Sequence, residues 1–258
     1  MRIKPFGVLS TPSKQPLPPL RREKTMATWS YGITTILDRM DTTLPKTIES
    51  LKQAGFDQPH LFVDGSLSQE MYNRQFGLNV TCRFPALRVT GNWICSLWEL
   101  YVKNSHAEFF AIFQDDIIIS RGAKEYIENT APKGRMYFNL YNVPENERLK
   151  PPGMKYGWYP SNQYGRGALA LVFRVEAVQA LLGANHLLNK PRDLERGWRT
   201  IDGAVVDSMK QAGYKEVVPF PSIVQHIGYM STIGTPDRAT PRSFRGEEFD
   251  LRRLGEPS

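Results

Sequence analysis

From the amino terminus, apolar positions are irregular until residue 28 and then fall into alternating strand-like and helix-like runs. Trp29 to Ile36 reads as a buried strand. Leu44 to Ala54 repeats its apolar residues at helical spacing and stops at Gly55, a residue that tolerates the left-handed backbone often found after a helix. His60 to Val63 is a second strand, closed by Asp64-Gly65. Strand, helix and strand in succession make the β-α-β unit from which helix-covered parallel sheets are built. Asn92 to Lys103 is helical by the spacing of Trp93, Leu97, Leu100 and Tyr101, and Phe109 to Ile119 is the most apolar strand of the chain. Met136 to Tyr141, Ala168 to Phe173 and Val217 to Phe220 read as further strands, and Val175 to Leu182 as a helix. Asp202 can cap a last helix whose Val205, Val206, Met209 and Ala212 share a face. Residues 141–167 and 183–200 remain as long loops, the kind of segment that forms the wall or lid of a site. The expected fold class is α/β, a mostly parallel mixed sheet flanked by helices in a single domain.

Composition narrows the picture. The chain has 258 residues and 41% hydrophobic content, enough for one substantial core. Its two cysteines, Cys82 and Cys95, can build neither a disulfide framework nor a four-ligand zinc site, which points to a reducing, cytoplasmic setting. No apolar run approaches the roughly 20 residues that cross a bilayer, so a soluble chain without membrane contact is expected, monomeric or weakly oligomeric. The formal net charge is +7, and residues 1–27 carry +5 of it: Arg2, Lys4, Lys14, Arg21, Arg22 and Lys24 against Glu23. The same arm holds five prolines and reads as a disordered leader, although such a basic segment also suits nucleic acid. The remainder divides into a domain at 28–234 and an irregular tail at 235–258.

The strongest chemical signal is Gln114-Asp115-Asp116 inside the apolar run Phe109 to Ile119. Two carboxylates buried bare in such a strand would be very costly, and a divalent cation at the strand's carboxyl end offsets that cost. A plain turn is the competing reading, but Ile117 to Ile119 carry the apolar run beyond the acids. This element resembles the DXD-type motif of GT-A glycosyltransferases, and the order of elements from Thr28 to about Gly234 is similar to that family. The resemblance implies a GT-A, Rossmann-like fold in which Asp116 binds Mn²⁺ or Mg²⁺ and Asp115 contacts the donor. Tyr31 to Arg39 resembles the family's first donor-binding strand and loop, so Thr35 and Arg39 would meet the nucleotide; a strand-end hydroxyl and a solvated arginine are the plainer readings. Asp64 stands where the family often places an acid near the nucleobase, and a simple Asp-Gly turn explains it too. Gly91-Asn92 precedes the predicted helix, where Asn92 either contacts the donor or caps the helix.

Two later segments complete the expected site. Asp202, in Thr200-Ile201-Asp202-Gly203, matches the position of the family's catalytic acid, the base that takes the acceptor's proton in an inverting transfer; helix capping is its simpler role, and Asp207 is the alternative base. Gln225-His226-Ile227-Gly228, followed by Ser231-Thr232, resembles the C-terminal segment of branching N-acetylglucosaminyltransferases and of bacterial and phage transferases, in which such a histidine, here His226, completes the metal shell. Tyr164-Gly165-Arg166-Gly167 is either a glycine turn or a close approach to substrate with Arg166 on a donor phosphate. Trp158, Tyr159, Trp198 and Tyr229 could stack on a sugar or belong to the core. The expected activity is inverting transfer from a UDP-sugar to an acceptor hydroxyl. A hydroxymethylated pyrimidine in DNA, as in a phage enzyme working in host cytoplasm, and a saccharide are the two acceptors considered. A non-catalytic nucleotide or nucleic-acid binding module and a nucleotidyltransferase are the rival classes.

Overall fold

The computed structural model describes residues 27–189, 201–227 and 240–254. Ten strands and eight α-helices are defined in this part of the chain. In order they are β1 Trp29–Ile36, α1 Leu44–Gln53, β2 His60–Asp64, α2 Gln69–Phe76, β3 Val80–Arg83, α3 Arg88–Lys103, β4 Phe109–Gln114 and β5 Ile117–Ile119. They continue with α4 Ala123–Thr130, β6 Met136–Asn139, α5 Pro144–Glu147, β7 Gly157–Pro160, β8 Ala170–Arg174, α6 Val175–Leu182, α7 Asn185–Asn189, α8 Ile201–Gln211, β9 Lys215–Phe220 and β10 Val224–His226.

Eight strands form one sheet in the order β3-β2-β1-β4-β8-β6-β9-β7. The first four are parallel, β8 opposes β4 and β6, β9 runs parallel to β6, and β7 opposes β9. Only β8 and β7 therefore run against the majority, the mostly parallel mixed sheet expected from the β-α-β pattern. Strand β4 lies in the middle, and Phe109 to Phe113 are buried on both faces. One core cluster packs α1 and α4 on one face around Phe56 and Phe113, and the other packs α3, α6 and α8 around Trp93 and Phe173.

The run Phe109 to Ile119 is not one strand. The chain turns at Asp115-Asp116, and β5 leaves the main sheet to pair antiparallel with β10. In an antiparallel pair alternate residues point their peptide groups away from the partner strand, so Ile117 and Ile119 need other partners. Helix α1 supplies them with two fully buried hydroxyls. Thr47 Oγ1 donates to the Ile117 carbonyl at 2.8 Å and accepts the Ile117 N–H at 3.1 Å. Ser50 Oγ donates to the Ile119 carbonyl at 3.3 Å and accepts the Ile119 N–H at 2.9 Å. A helix thus stands in for a neighbouring strand, which is why the apolar run continues past the acids.

Two other expectations change. The helix predicted from Asn92 begins at Arg88, a turn earlier, so Asn92 lies within it and does not cap it. The supposed loop 141–167 contains α5 and the edge strand β7, four residues each and too short for periodicity to reveal. Residues 240–254 lie against the domain: Glu147 accepts the N–H groups of Arg242 and Ser243, and Arg121 donates its N–H to the Glu247 carbonyl. Residues 1–26 of the basic arm, Trp198 and Tyr229 fall outside the described residues.

Candidate active site

A cleft opens where the carboxyl ends of β1, β2 and β4 meet the first turn of α3. Thr35, Arg39, Asp64, Asn92, Asp115 and Asp116 all line it. Thr35, Asp64, Asp115 and Asp116 reach it because parallel strands present their carboxyl ends at one edge of the sheet, while Arg39 comes from the turn after β1 and Asn92 from α3.

The acids are placed by the turn after β4. Thr35 Oγ1 donates to Asp115 Oδ2 at 2.6 Å. Burial and the neighbouring Asp116 charge push the Asp115 carboxyl up to about 6, against the opposing pull of the Thr35 hydroxyl and the Arg39 guanidinium. Asp116 and His226, separated by 110 positions, meet through the β5-β10 pairing. That register sets His226 against Ile117, and the Ile227 N–H donates to the Asp116 carbonyl at 2.8 Å. The His226 Nε2 lies 2.9 Å from Asp116 Oδ2, with both side chains nearly buried, and Arg39 Nη2 lies 3.8 Å from the same oxygen.

A carboxylate oxygen and an imidazole nitrogen at this spacing fit a divalent cation, because neighbouring ligands at metal distances near 2.1 Å stand about 3 Å apart. Among the described residues, no three His, Cys, Asp or Glu side chains gather to enclose a metal. Asp116 and His226 could therefore hold an ion only if its remaining ligands come from elsewhere.

Asp64 has a definite structural task. Its two oxygens accept the N–H groups of Leu87 and Arg88, each at 2.7 Å. This holds Arg88 at φ 61°, a conformation costly for a residue with a Cβ, with its side chain on the cleft. Asn92 is similarly engaged, donating to the Phe62 carbonyl at 3.1 Å and accepting from Arg83 Nε at 2.9 Å. Gln114, part of the Gln114-Asp115-Asp116 element, and Arg88, which was not singled out from sequence, also line the cleft. Gln114 adjoined the acids and was legible as a candidate. Arg88 left no signal, since its position depends on the unread strand β3.

Asp202 reaches the site's neighbourhood from α8. Its carboxylate accepts the Gly167 N–H at 2.7 Å, so it secures the facing turn and does not serve only its own helix. Burial pushes its carboxyl above the usual aspartate range, while the Gly167 and Ala168 amides oppose that shift. The turn leads directly to the cleft, as Gln114 Nε2 donates to the Ala168 carbonyl at 3.3 Å. Gly165 and Gly167 are at φ 64° and 78°, and a Cβ on Gly165 would stand 2.5 Å from Val206 and 2.6 Å from the Asp202 carbonyl oxygen. These glycines admit α8 and Tyr141 at close range. Arg166 is not on the cleft: its exposed guanidinium pairs with Glu145 at 2.8 Å. Asp207 lies on α8 with its carboxylate 3.6 Å from His186. Trp158 stacks on Tyr126, and the buried Tyr159 donates to the Asn146 carbonyl, so both belong to the core.

Comparison with solved structures bears on the architecture. The crystal structure of GalNAc-T7 with UDP, GalNAc and Mn²⁺ matches 80% of this chain at TM-score 0.53 and 11% identity. The fold is GT-A-like. The matched part covers 45% of the GalNAc-T7 chain, so this chain spans under half of that protein. A mannose-1-phosphate geranyltransferase from Thermus thermophilus matches at TM-score 0.44 and 16% identity, covering 73% of this chain and 72% of that one. No protein-family model matches the sequence, and no curated protein matches it. Among the described residues, no helix is long and apolar enough to cross a membrane.

Proposed function

We propose that the chain is a metal-dependent glycosyltransferase that moves a sugar from a nucleotide diphosphate donor, UDP in the first instance, to an acceptor hydroxyl with inversion. The observation that carries this reading is the meeting of Asp116 and His226, nearly buried and 2.9 Å apart, beside Asp115, Arg39 and Thr35 in one cleft. Mn²⁺ suits a carboxylate and imidazole pair better than Mg²⁺, which prefers oxygen alone.

Thr35 and Asp64 shape the nucleotide end, the first by fixing Asp115 and the second by fixing the Leu87-Arg88 backbone. Asp115 faces the donor's hydroxyls, and Arg39 and Arg88 place cations along the diphosphate. A divalent ion held by Asp116 and His226 would supply Lewis-acid neutralisation of the departing diphosphate. Asp202 takes the proton of the acceptor hydroxyl as its oxygen bonds to the anomeric carbon. The bond from that carbon to the diphosphate breaks, and its electron pair leaves with UDP. A carboxyl raised by burial is the stronger base for this step, and the Gly167 N–H holds it in one orientation.

Incubation with Mn²⁺ and a panel of UDP-sugars tests the reading. Release of UDP that depends on Mn²⁺ and vanishes in Asp116→Ala and His226→Ala is the expected result. Pyrophosphate released from a nucleoside triphosphate would make the chain a nucleotidyltransferase, and UDP binding without turnover would make it a binding module. Metal uptake and turnover both surviving Asp116→Ala would end the proposal.

A further inference from the structure

Behind the turn that carries Gly167, three polar side chains are buried together: Tyr137 and Asn139 of β6 and Glu216 of β9. The parallel register sets Tyr137 beside Glu216. Tyr137 Oη donates to Glu216 Oε2 at 3.1 Å, and Asn139 Nδ2 donates to the same oxygen at 3.4 Å. Asn139 Nδ2 gives its second hydrogen to the Arg166 carbonyl at 3.1 Å, while Asn139 Oδ1 accepts the Tyr141 N–H at 3.2 Å. The side-chain amide is thereby held in one sense only, because its nitrogen faces two acceptors and its oxygen a donor.

The Arg166 carbonyl and the Gly167 N–H belong to one peptide group. Its oxygen is held by Asn139, and its N–H donates to the Asp202 carboxylate at 2.7 Å. Glu216, Asn139, this peptide and Asp202 therefore form a continuous chain of hydrogen bonds from β9 to α8. The peptide is closely enclosed: Gly167 stands at φ 78°, and a Cβ there would lie 2.4 Å from the Tyr141 ring. Earlier in the same turn, the Gln163 side chain closes a two-way bond with the Glu216 backbone, donating at 2.7 Å and accepting at 2.9 Å.

We propose that Asn139, anchored by Glu216, is a positioning residue for Asp202, fixing its carboxylate through the Arg166-Gly167 peptide. The inference rests on the transfer reading above and adds to it the groups behind the base. A peptide whose carbonyl accepts a hydrogen bond donates more strongly through its N–H, since successive bonds along such a chain polarise one another. A stronger donor favours the charged carboxylate. Water satisfies the carbonyl of an ordinary surface turn. Here a buried amide and a buried acid serve it, at a desolvation cost that capping a turn does not require. Burial, with a smaller contribution from the Asp202 charge, pushes the Glu216 carboxyl up, so the two acids sense each other. The other titratable groups around them are Tyr137 and, on α8, Asp207, whose carboxylate lies 3.6 Å from His186. Lys210 Nζ donates to the Gln163 carbonyl at 3.3 Å, Lys215 is exposed at the start of β9, and Arg166 pairs with Glu145.

The test reads Gly167 directly. In isotope-labelled full-length protein the Gly167 amide NMR signal should move with pH in one step that Asp202→Asn abolishes. Asn139→Ala and Glu216→Leu are each expected to shift that step upward by about one pH unit, because Asp202 loses a strengthened donor. In the UDP-release assay the same variants should lower kcat about tenfold and leave KM for the UDP-sugar within about twofold. Glu216→Gln still offers Asn139 an acceptor, so its kcat should stay within about threefold of wild type. Three results would each overturn the assignment: a Gly167 signal with no step that depends on Asp202, an unmoved step in folded Asn139→Ala or Glu216→Leu, or Glu216→Gln as impaired as Glu216→Leu. Either disruptive variant suffices if the other fails to fold. UDP release from no UDP-sugar would instead overturn the transfer reading, whereas the hydrogen-bond linkage is read from Gly167 without donor and is decided separately.

Discussion

Replacing Thr47 by valine tests how the acidic turn is supported. The two side chains have nearly the same shape, but valine removes both hydrogen bonds to Ile117, at 2.8 and 3.1 Å, in a fully buried position. A buried peptide group stripped of its partner costs about 1–3 kcal/mol, and both the N–H and the carbonyl of Ile117 are affected. The extra methyl returns about 0.8 kcal/mol of burial. The expected net loss is about 2–4 kcal/mol, measured by urea unfolding, with Tm lower by roughly 5–15 °C. Thr47→Ser keeps the hydroxyl and loses only a methyl, so it should cost about 1 kcal/mol. Because β5 begins at the residue after Asp116, the folded valine variant should also bind Mn²⁺ with UDP more weakly than Thr47→Ser does. A loss below about 0.5 kcal/mol for valine, or equal losses for valine and serine, would show that α1 does not replace a strand for β5.

Other consequences concern the walls of the cleft and the turn around Asp202. Gly165→Ala places a Cβ 2.5 Å from Val206 at φ 64°, so it should destabilise the fold by about 1–3 kcal/mol and lower kcat while leaving UDP affinity near wild type; unchanged kcat and Tm would refute the close approach. Asp64→Ala frees the Leu87 and Arg88 amides and should weaken UDP binding about tenfold in calorimetry, since each lost charge-assisted bond removes about 1.5–3 kcal/mol of support for the Arg88 backbone. Equal affinity would show that this backbone does not matter to the nucleotide. Burial raises the Glu216 carboxyl above the ordinary range, although the Tyr137 hydroxyl and Asn139 amide reach it. A raised native value favours the protonated form. The group's stabilising contribution is therefore complete below its unfolded value of about 4.3 and is lost as pH rises through its native value. The stability of Glu216→Gln relative to wild type should accordingly increase with pH across that window, and a difference that stays flat with pH would contradict the assignment.

Much of the scaffold is legible in the sequence. The β-α-β opening is a matter of periodicity, and the strands β1, β2 and β4 lie close to where alternating and continuous apolar runs placed them. Physical cost identified the acids, because Asp115 and Asp116 in a run of phenylalanine and isoleucine demand compensation wherever they are. The same signal existed at Glu216, the acid that opens the apolar stretch to Phe220, and went unread. Short elements such as α5 and β7 span too few residues to show a period.

By itself the sequence determined most of the longer strands and helices and that the acids in the apolar run need partners, since both follow from local spacing and from the cost of desolvation. Which partners meet was decided only by the tertiary structure. His226 reaches Asp116 through the register of β10 on β5, Thr47 and Ser50 become a surrogate strand, and Arg88 enters the cleft because Asp64 grips its backbone. Arg166 pairs with Glu145, and Gly165 packs onto α8. These pairings join residues tens of positions apart, and no local pattern encodes them: their free energy arises only when the sheet closes and water is excluded.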